Sequence, residues 1–302
     1  MVTPRFGFML PISDPFGLGT PDIAAAARHA EQVGAGTVWV GDHLAFHTPV
    51  VEATVALSVA AAATERVRLG FGVLLLALRH PAWTAKQLTS LQVLSGQRLE
   101  VGIGVGGENP AEWAAGGIPV QERGTRTDAI LSVLPDLLSG NPAKIGAPYH
   151  LDVPPLAPHG DMPPLWIGGR SEQALRRAAR HGDGWIGMFA DEQRLASALG
   201  HLRRCCTELA RPVPRIGLLV FTHIGDPAKG RAETARFLEA QYRIPFEKVE
   251  RYTAIGTANE VAAKLDRFAR VGVDEFILFP AATDHHSQYE QLGQTLELIG
   301  AA

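Results

Sequence analysis

Residues 67–107 read VRLGFGVLLLALRHPAWTAKQLTSLQVLSGQRLEVGIGVGG, and this stretch decides the fold. Val67–Val73 and Arg98–Ile103 are apolar runs of strand length, bounded by turn signals. Between them Pro81 suits the first turn of a helix, Leu88, Leu91 and Leu94 recur as an inward stripe, and Gly96 stands just past the end. A strand, a crossover helix and a second strand in that order make a parallel pair.

The alternation continues in both directions. Further strands are predicted over Arg5–Leu10, Thr37–Val40, Pro164–Gly168, Gly184–Gly187, Arg215–Ile224 and Asp274–Phe279. Eight strands with helices between them predict an α/β fold, a closed (β/α)8 TIM barrel formed as a single domain by residues 1–302, a length such barrels reach. A doubly wound sheet would normally show G-x-G-x-x-G after its first strand, and Phe6–Gly19 has none. Thr20 is placed to cap the first helix with Pro21 in its first turn, and Thr257 with Glu260 forms a capping box. Two segments, Asn141–Pro163 and Arg243–Gly256, break the rhythm and are expected outside the repeat. The helix expected over Val50–Ala63 is apolar on almost every side, which predicts a homodimer burying the face that the barrel leaves open.

Composition excludes several classes of function. The 28 basic and 31 acidic residues are interspersed, with a net charge of -3, so no basic face offers itself to nucleic acid. No apolar run reaches membrane-spanning length, and Met1–Leu10 is too short for an export signal. Cys205 and Cys206 are adjacent in a helical stretch, where they neither bridge nor bind metal. A cytoplasmic protein acting on a small molecule is expected.

Barrel enzymes build their sites at the C-terminal ends of the strands. Those ends carry Asp42, His43 and His47, Gly72 and Val73, Gly104–Glu108, and Gly168, Gly169, Arg170 and Ser171. The last four open a helix whose free N–H groups favour an anion such as phosphate, although the same run serves an ordinary glycine turn with Ser171 as its cap. Gly106 and Gly107 clear side chains from a place where a flat ligand can approach the backbone, and glycine strings also serve plain bends. Asp42 and His43 can orient and exchange a proton, while a solvated loop histidine is the commoner fate of such a residue. His285 and His286 lack metal-ligand spacing and read as a surface helix start.

Taken together, Val38-Trp39-Val40-Gly41-Asp42-His43, Val67–Gly70 through Pro81, Leu94–Arg98 leading into Gly102–Gly107, Pro164–Gly169, Ala178–Trp185 and Gly272-Val273-Asp274 resemble the luciferase-like barrel oxidoreductases. That family uses reduced flavin mononucleotide (FMN) or the deazaflavin coenzyme F420. The resemblance implies a cis peptide at Gly72–Val73 behind the cofactor ring, with Gly106 and Gly107 near the ring and its side chain. It also implies a phosphate end at Gly168–Ser171 and a place for His43 beside the ring, with Asp42 holding His43 or the cofactor. Arg79 and Arg170 are expected to meet an anionic tail. Glu108 departs from the pattern because the double glycine displaces it, Glu112 matches an acidic residue of structural role, and Arg123 and Arg126 receive no chemistry. Asp42-His43 favours F420-dependent hydride transfer to or from a small organic substrate. The alternative is an FMN-dependent monooxygenase fed by a separate reductase, and a flavin-binding protein without catalysis is disfavoured by His43.

Overall fold

The computed structural model of the chain describes residues 4–296, 298 and 299. Eight parallel strands close on themselves: β1 (Arg5–Met9), β2 (Thr37–Val40), β3 (Arg68–Leu75), β4 (Leu99–Gly104), β5 (Leu165–Gly168), β6 (Gly184–Met188), β7 (Arg215–Ile224) and β8 (Glu275–Pro280). Each pairs with the next, and β8 returns to β1. The chain is thus a (β/α)8 TIM barrel, with every strand within two residues of its predicted place.

Two tryptophans plug the interior. Trp39 on β2 lies across Gly7 and Gly70 of the flanking strands, where an added Cβ would come 2.3 and 2.2 Å from the indole. Trp166 on β5 covers Gly184 in the same way, and the two rings meet edge to face with centroids 5.9 Å apart. An interior filled this way is core, not channel, so a ligand site is displaced to the C-terminal mouth.

Helix punctuation differs from expectation at two points. The first helix runs Ile23–Gln32 and is capped by Asp22, whose carboxylate accepts from the Ala25 N–H at 2.9 Å, so Thr20 is not the cap. In helix Pro81–Leu94, Leu88 and Leu91 are buried, but Leu94 is 83% exposed. The inward stripe turns instead to Gln92, whose amide accepts from the Leu99 N–H and donates to the Asp161 carbonyl. Those bonds satisfy the buried amide.

The first irregular segment forms a hairpin, Ala143–Ile145 against Leu151–Val153, outside the barrel. The second is not wholly outside the sheet: after two 3₁₀ turns, Ala254–Gly256 pairs parallel with the end of β7. No helix among the described residues is long and apolar enough to cross a membrane. Cys205 and Cys206 are buried free thiols.

Below the tryptophans two carboxylates are buried together. Glu100 accepts from Trp166 Nε1 at 2.7 Å and pairs with Arg68. Glu275 accepts from Thr37 Oγ1 at 3.3 Å, and its Oε2 has no hydrogen-bond partner. Burial, and then the charge of Glu100, push the Glu275 carboxyl up to about 7. The folded protein therefore holds a proton that the unfolded chain releases near the ordinary value of 4.5. This contribution is fully present below about pH 4.5 and is lost as the pH rises through about 7, by at most about 3 kcal/mol. Denaturation midpoints across this range should fall for the native chain and stay flatter for Glu275→Gln; parallel profiles would contradict the assignment.

Candidate active site

A cleft opens at the C-terminal ends of the strands. Its apolar floor is formed by Met9, Ile186, Leu219 and Phe279, and its polar rim by Ser13, Asp42, His43, Glu108, Arg170 and Gln241.

The Gly72–Val73 peptide is cis, at the point where the β3–β4 register shifts. Val73 projects over the neighbouring strand ends, with its methyl groups filling the space that Gly104 and Gly168 leave free. A Cβ at Gly104 would come 2.3 Å from Val73 Cγ2, and one at Gly168 2.8 Å from Cγ1. Glycine at both strand ends thus lets Val73 form an apolar shelf in the cleft wall.

Asp42 and His43 are neighbours in sequence with separate partners. Buried Asp42 accepts from the Leu75 N–H at 2.9 Å and from Arg79 at 2.6 and 3.1 Å, and Arg79 also donates to Glu52 at 2.6 Å. Burial alone would lower the Arg79 pKa, but Asp42 and Glu52 outweigh it and raise it above the ordinary value. Burial likewise pushes Glu52 up, and the Val55 N–H together with Arg79 brings it below the usual carboxylate range. Arg79 is therefore committed to a buckle between the loop after β2 and the end of β3, and is not the free cation expected for an anionic tail.

His43 is held by Glu112, not by Asp42. Its Nδ1 lies 3.2 and 3.4 Å from the two carboxylate oxygens of the fully buried Glu112, which also accepts from the Leu44 N–H. The imidazole stacks on Phe46 at 3.7 Å between centroids. Glu112 comes from the short helix Pro110–Ala115, capped by Asn109, whose side-chain amide ties that helix back to the Ala45 carbonyl. The carboxylate sets the tautomer with hydrogen on Nδ1 and leaves Nε2 for a ligand.

At the other end of the cleft, Gly106, Gly107 and Gly169 adopt positive φ at the ends of the adjacent strands β4 and β5. Ser171 caps helix Glu172–His181, its hydroxyl accepting from the Ala174 N–H, and Arg170 lies 5.9 Å from the Phe189 ring. Gly106, Gly168, Gly169 and Arg170 line the cleft, whereas Gly107 and Ser171 stand just behind its lining. Arg123 packs over Gly107, with Nε 3.1 Å from where a Cβ would be; that nitrogen is buried without a partner. Glycine turns, a helix start and the Arg123 guanidinium, whose Nη1 donates to the Val120 carbonyl at 2.7 Å while Nε has no partner, form a cradle suited to phosphate.

Sequence reasoning left out the roof. Helix Pro227–Tyr242 delivers Gln241, which accepts from Ser13 Oγ at 2.6 Å, and Tyr242, whose hydroxyl is pushed above its ordinary pKa by burial and then by nearby Glu108. Glu108 itself is exposed on the cleft wall.

Removing Arg79 leaves the buried Asp42 carboxylate without its cation and facing the partly exposed Glu52. Arg79→Ala is expected to destabilise the fold by about 3 kcal/mol, read from chemical denaturation. A change within experimental error would mean that the buckle carries no load.

The sequence description of the family Luciferase-like monooxygenase matches residues 5–275. An F420-dependent glucose-6-phosphate dehydrogenase of Beutenbergia cavernae is 35% identical over 177 residues, 55% of this chain and 52% of that protein. A phthiodiolone/phenolphthiodiolone dimycocerosates ketoreductase of Mycobacterium tuberculosis is 29% identical over 217 residues, 60% of this chain and 55% of that protein. The matched region thus spans little more than half the length of these curated relatives. Among solved structures, an F420-dependent secondary alcohol dehydrogenase in complex with an F420-acetone adduct superposes with TM-score 0.83 at 18% identity, covering 97% of this chain and 98% of that one. The oxygenating constituent of the Pseudomonas putida 3,6-diketocamphane monooxygenase, in complex with FMN, gives 0.77 at 17% identity, covering 99% and 97%. At such identities the structures speak for a common fold. The sequence match over residues 5–275, on a barrel with its cleft at the strands' C-terminal ends, carries more: the chain belongs to the luciferase-like monooxygenase family.

Proposed function

We propose that this luciferase-like oxidoreductase carries coenzyme F420 and transfers a hydride between it and a small organic substrate. The observation that carries the reading is His43 at the cleft wall with Nδ1 held by buried Glu112. An imidazole fixed in one tautomer and confined by Phe46 is built to exchange a proton through Nε2.

The surroundings fit a planar ring with a phosphate-bearing tail. Val73 offers a shelf for a ring face, the floor is apolar, and the cradle around Gly106, Gly107, Gly168–Ser171 and Arg123 supplies N–H groups and positive charge. When bound, the deazaflavin supplies or accepts the hydride. The chain's own part is to keep water from the apolar floor, hold the substrate beside the shelf, and let His43 take the hydroxyl proton of an alcohol substrate or, in the reverse direction, give a proton to the oxygen of a carbonyl substrate. Asp42 acts one step back, by fixing the loop that presents His43 through its bonds to Leu75 and Arg79.

The FMN monooxygenase alternative uses the same cradle and needs a reductase partner. Anaerobic titration with each reduced cofactor separates the two. Saturable F420 binding with substrate turnover in the absence of oxygen supports hydride transfer; FMN binding alone, with oxygen-dependent product, overturns it. In the first case His43→Ala is expected to lower kcat by about 100-fold or more while changing F420 affinity by less than about threefold. Equal losses in both would make His43 a binding residue.

Assembly as a homodimer belongs to the same proposal. Helix Ala53–Ala63 buries Ala53, Ala56, Leu57 and Ala60 against the barrel and leaves Val55 and Val59 exposed. Light scattering is expected to give twice the 32.3 kDa chain mass at micromolar concentration; a monomer would refute it.

A further inference from the structure

We infer that His29, His286 and Glu290 form a divalent-metal site, with zinc the ion their chemistry suits. His29 lies in the last turn of helix Ile23–Gln32, and His286 and Glu290 are one turn apart on a common face of helix His285–Leu296. The helices touch closely, since a Cβ at Gly293 would come 2.9 Å from the Val33 carbonyl oxygen.

Each of the three residues offers a ligand atom, and all three atoms lie within 4.8 Å of one another. The imidazoles face each other at 3.7 Å between centroids, and His286 Nε2 lies 3.5 Å from Glu290 Oε1. Independently, His29 Nε2 is sealed from solvent without any hydrogen-bond partner, an arrangement that costs free energy unless a ligand satisfies it. Two imidazoles and a carboxylate form a three-ligand set that leaves a fourth position for water, with metal–ligand distances of about 2.0–2.2 Å. His286 and Glu290 are exposed, so rotation of these two side chains closes the set around an ion and swings the His286 ring off the stacked geometry.

None of the three lines the cleft, so the ion is structural. It would clamp the helix that follows β8 to the helix that follows β1, across the seam where the barrel closes. Binding to the folded chain alone then raises its stability in proportion to the logarithm of metal concentration.

The test uses the full chain stripped of metal, titrated calorimetrically with zinc chloride at neutral pH, with melting temperature followed in parallel. One equivalent should bind and raise the melting temperature. His286→Ala and Glu290→Gln, both at exposed positions, should weaken binding by about tenfold or more and abolish the thermal shift. His29→Ala should do the same, and His150→Ala should behave as the native chain. Absence of saturable binding, or equal affinity in His286→Ala and the native chain, overturns the site.

Discussion

The structure depends on two indole rings inside a barrel lined with glycine. Trp39 and Trp166 occupy the interior only because Gly7, Gly70 and Gly184 present no side chain beneath them. A single Cβ at any of these positions would meet an indole carbon or nitrogen at 2.0–2.3 Å, and such overpacking in a dense core costs typically 1–3 kcal/mol. The plug divides the barrel by depth. Buried carboxylates Glu100 and Glu275 lie below it, and the apolar layer of Met9, Ile186, Leu219 and Phe279 lies above. The cleft opens over that layer, with its chemistry on loops that rigid strands position.

The same device, a large side chain resting where neighbours are glycine, recurs one layer up. Val73 reaches over Gly104 and Gly168 and becomes the cleft's shelf. The polar groups are then arranged so that two acids do different work. Asp42 spends both oxygens on Leu75 and Arg79 and locks the loop; Glu112, fully buried on another element, takes the imidazole. Loop geometry and histidine tautomer are thus fixed by separate groups.

The eight strands were legible because parallel strands buried on both faces read as short apolar runs, and the capping box at Thr257 and Glu260 is a local signal. Leu94 was misread as inward because helical spacing alone cannot show that Gln92 finds two partners inside. Asp42-His43 drew attention to a loop that lines the cleft but suggested a pair, and adjacency in sequence says nothing of which carboxylate a ring will meet. Glu112 stands on a different element, and only the fold brings it to His43. Gln241 and Tyr242 were missed for the same reason, Arg123 was read as part of a helix start without chemistry, and the His29–His286 approach joins the two ends of the chain. Assembly, cofactor choice and the roles of individual site residues depend on molecules other than the chain itself.

The central claim is that a ring lies on the Val73 shelf with His43 Nε2 facing the reacting centre while Glu112 holds Nδ1. A crystal structure of the chain grown with F420 tests it most directly. The account expects density for the ring against Val73, the phosphate among Gly106, Gly169, Arg170 and Arg123, and the His43–Glu112 contact intact. A ring bound elsewhere, or a His43 side chain released from Glu112 and turned out of the cleft, would contradict it.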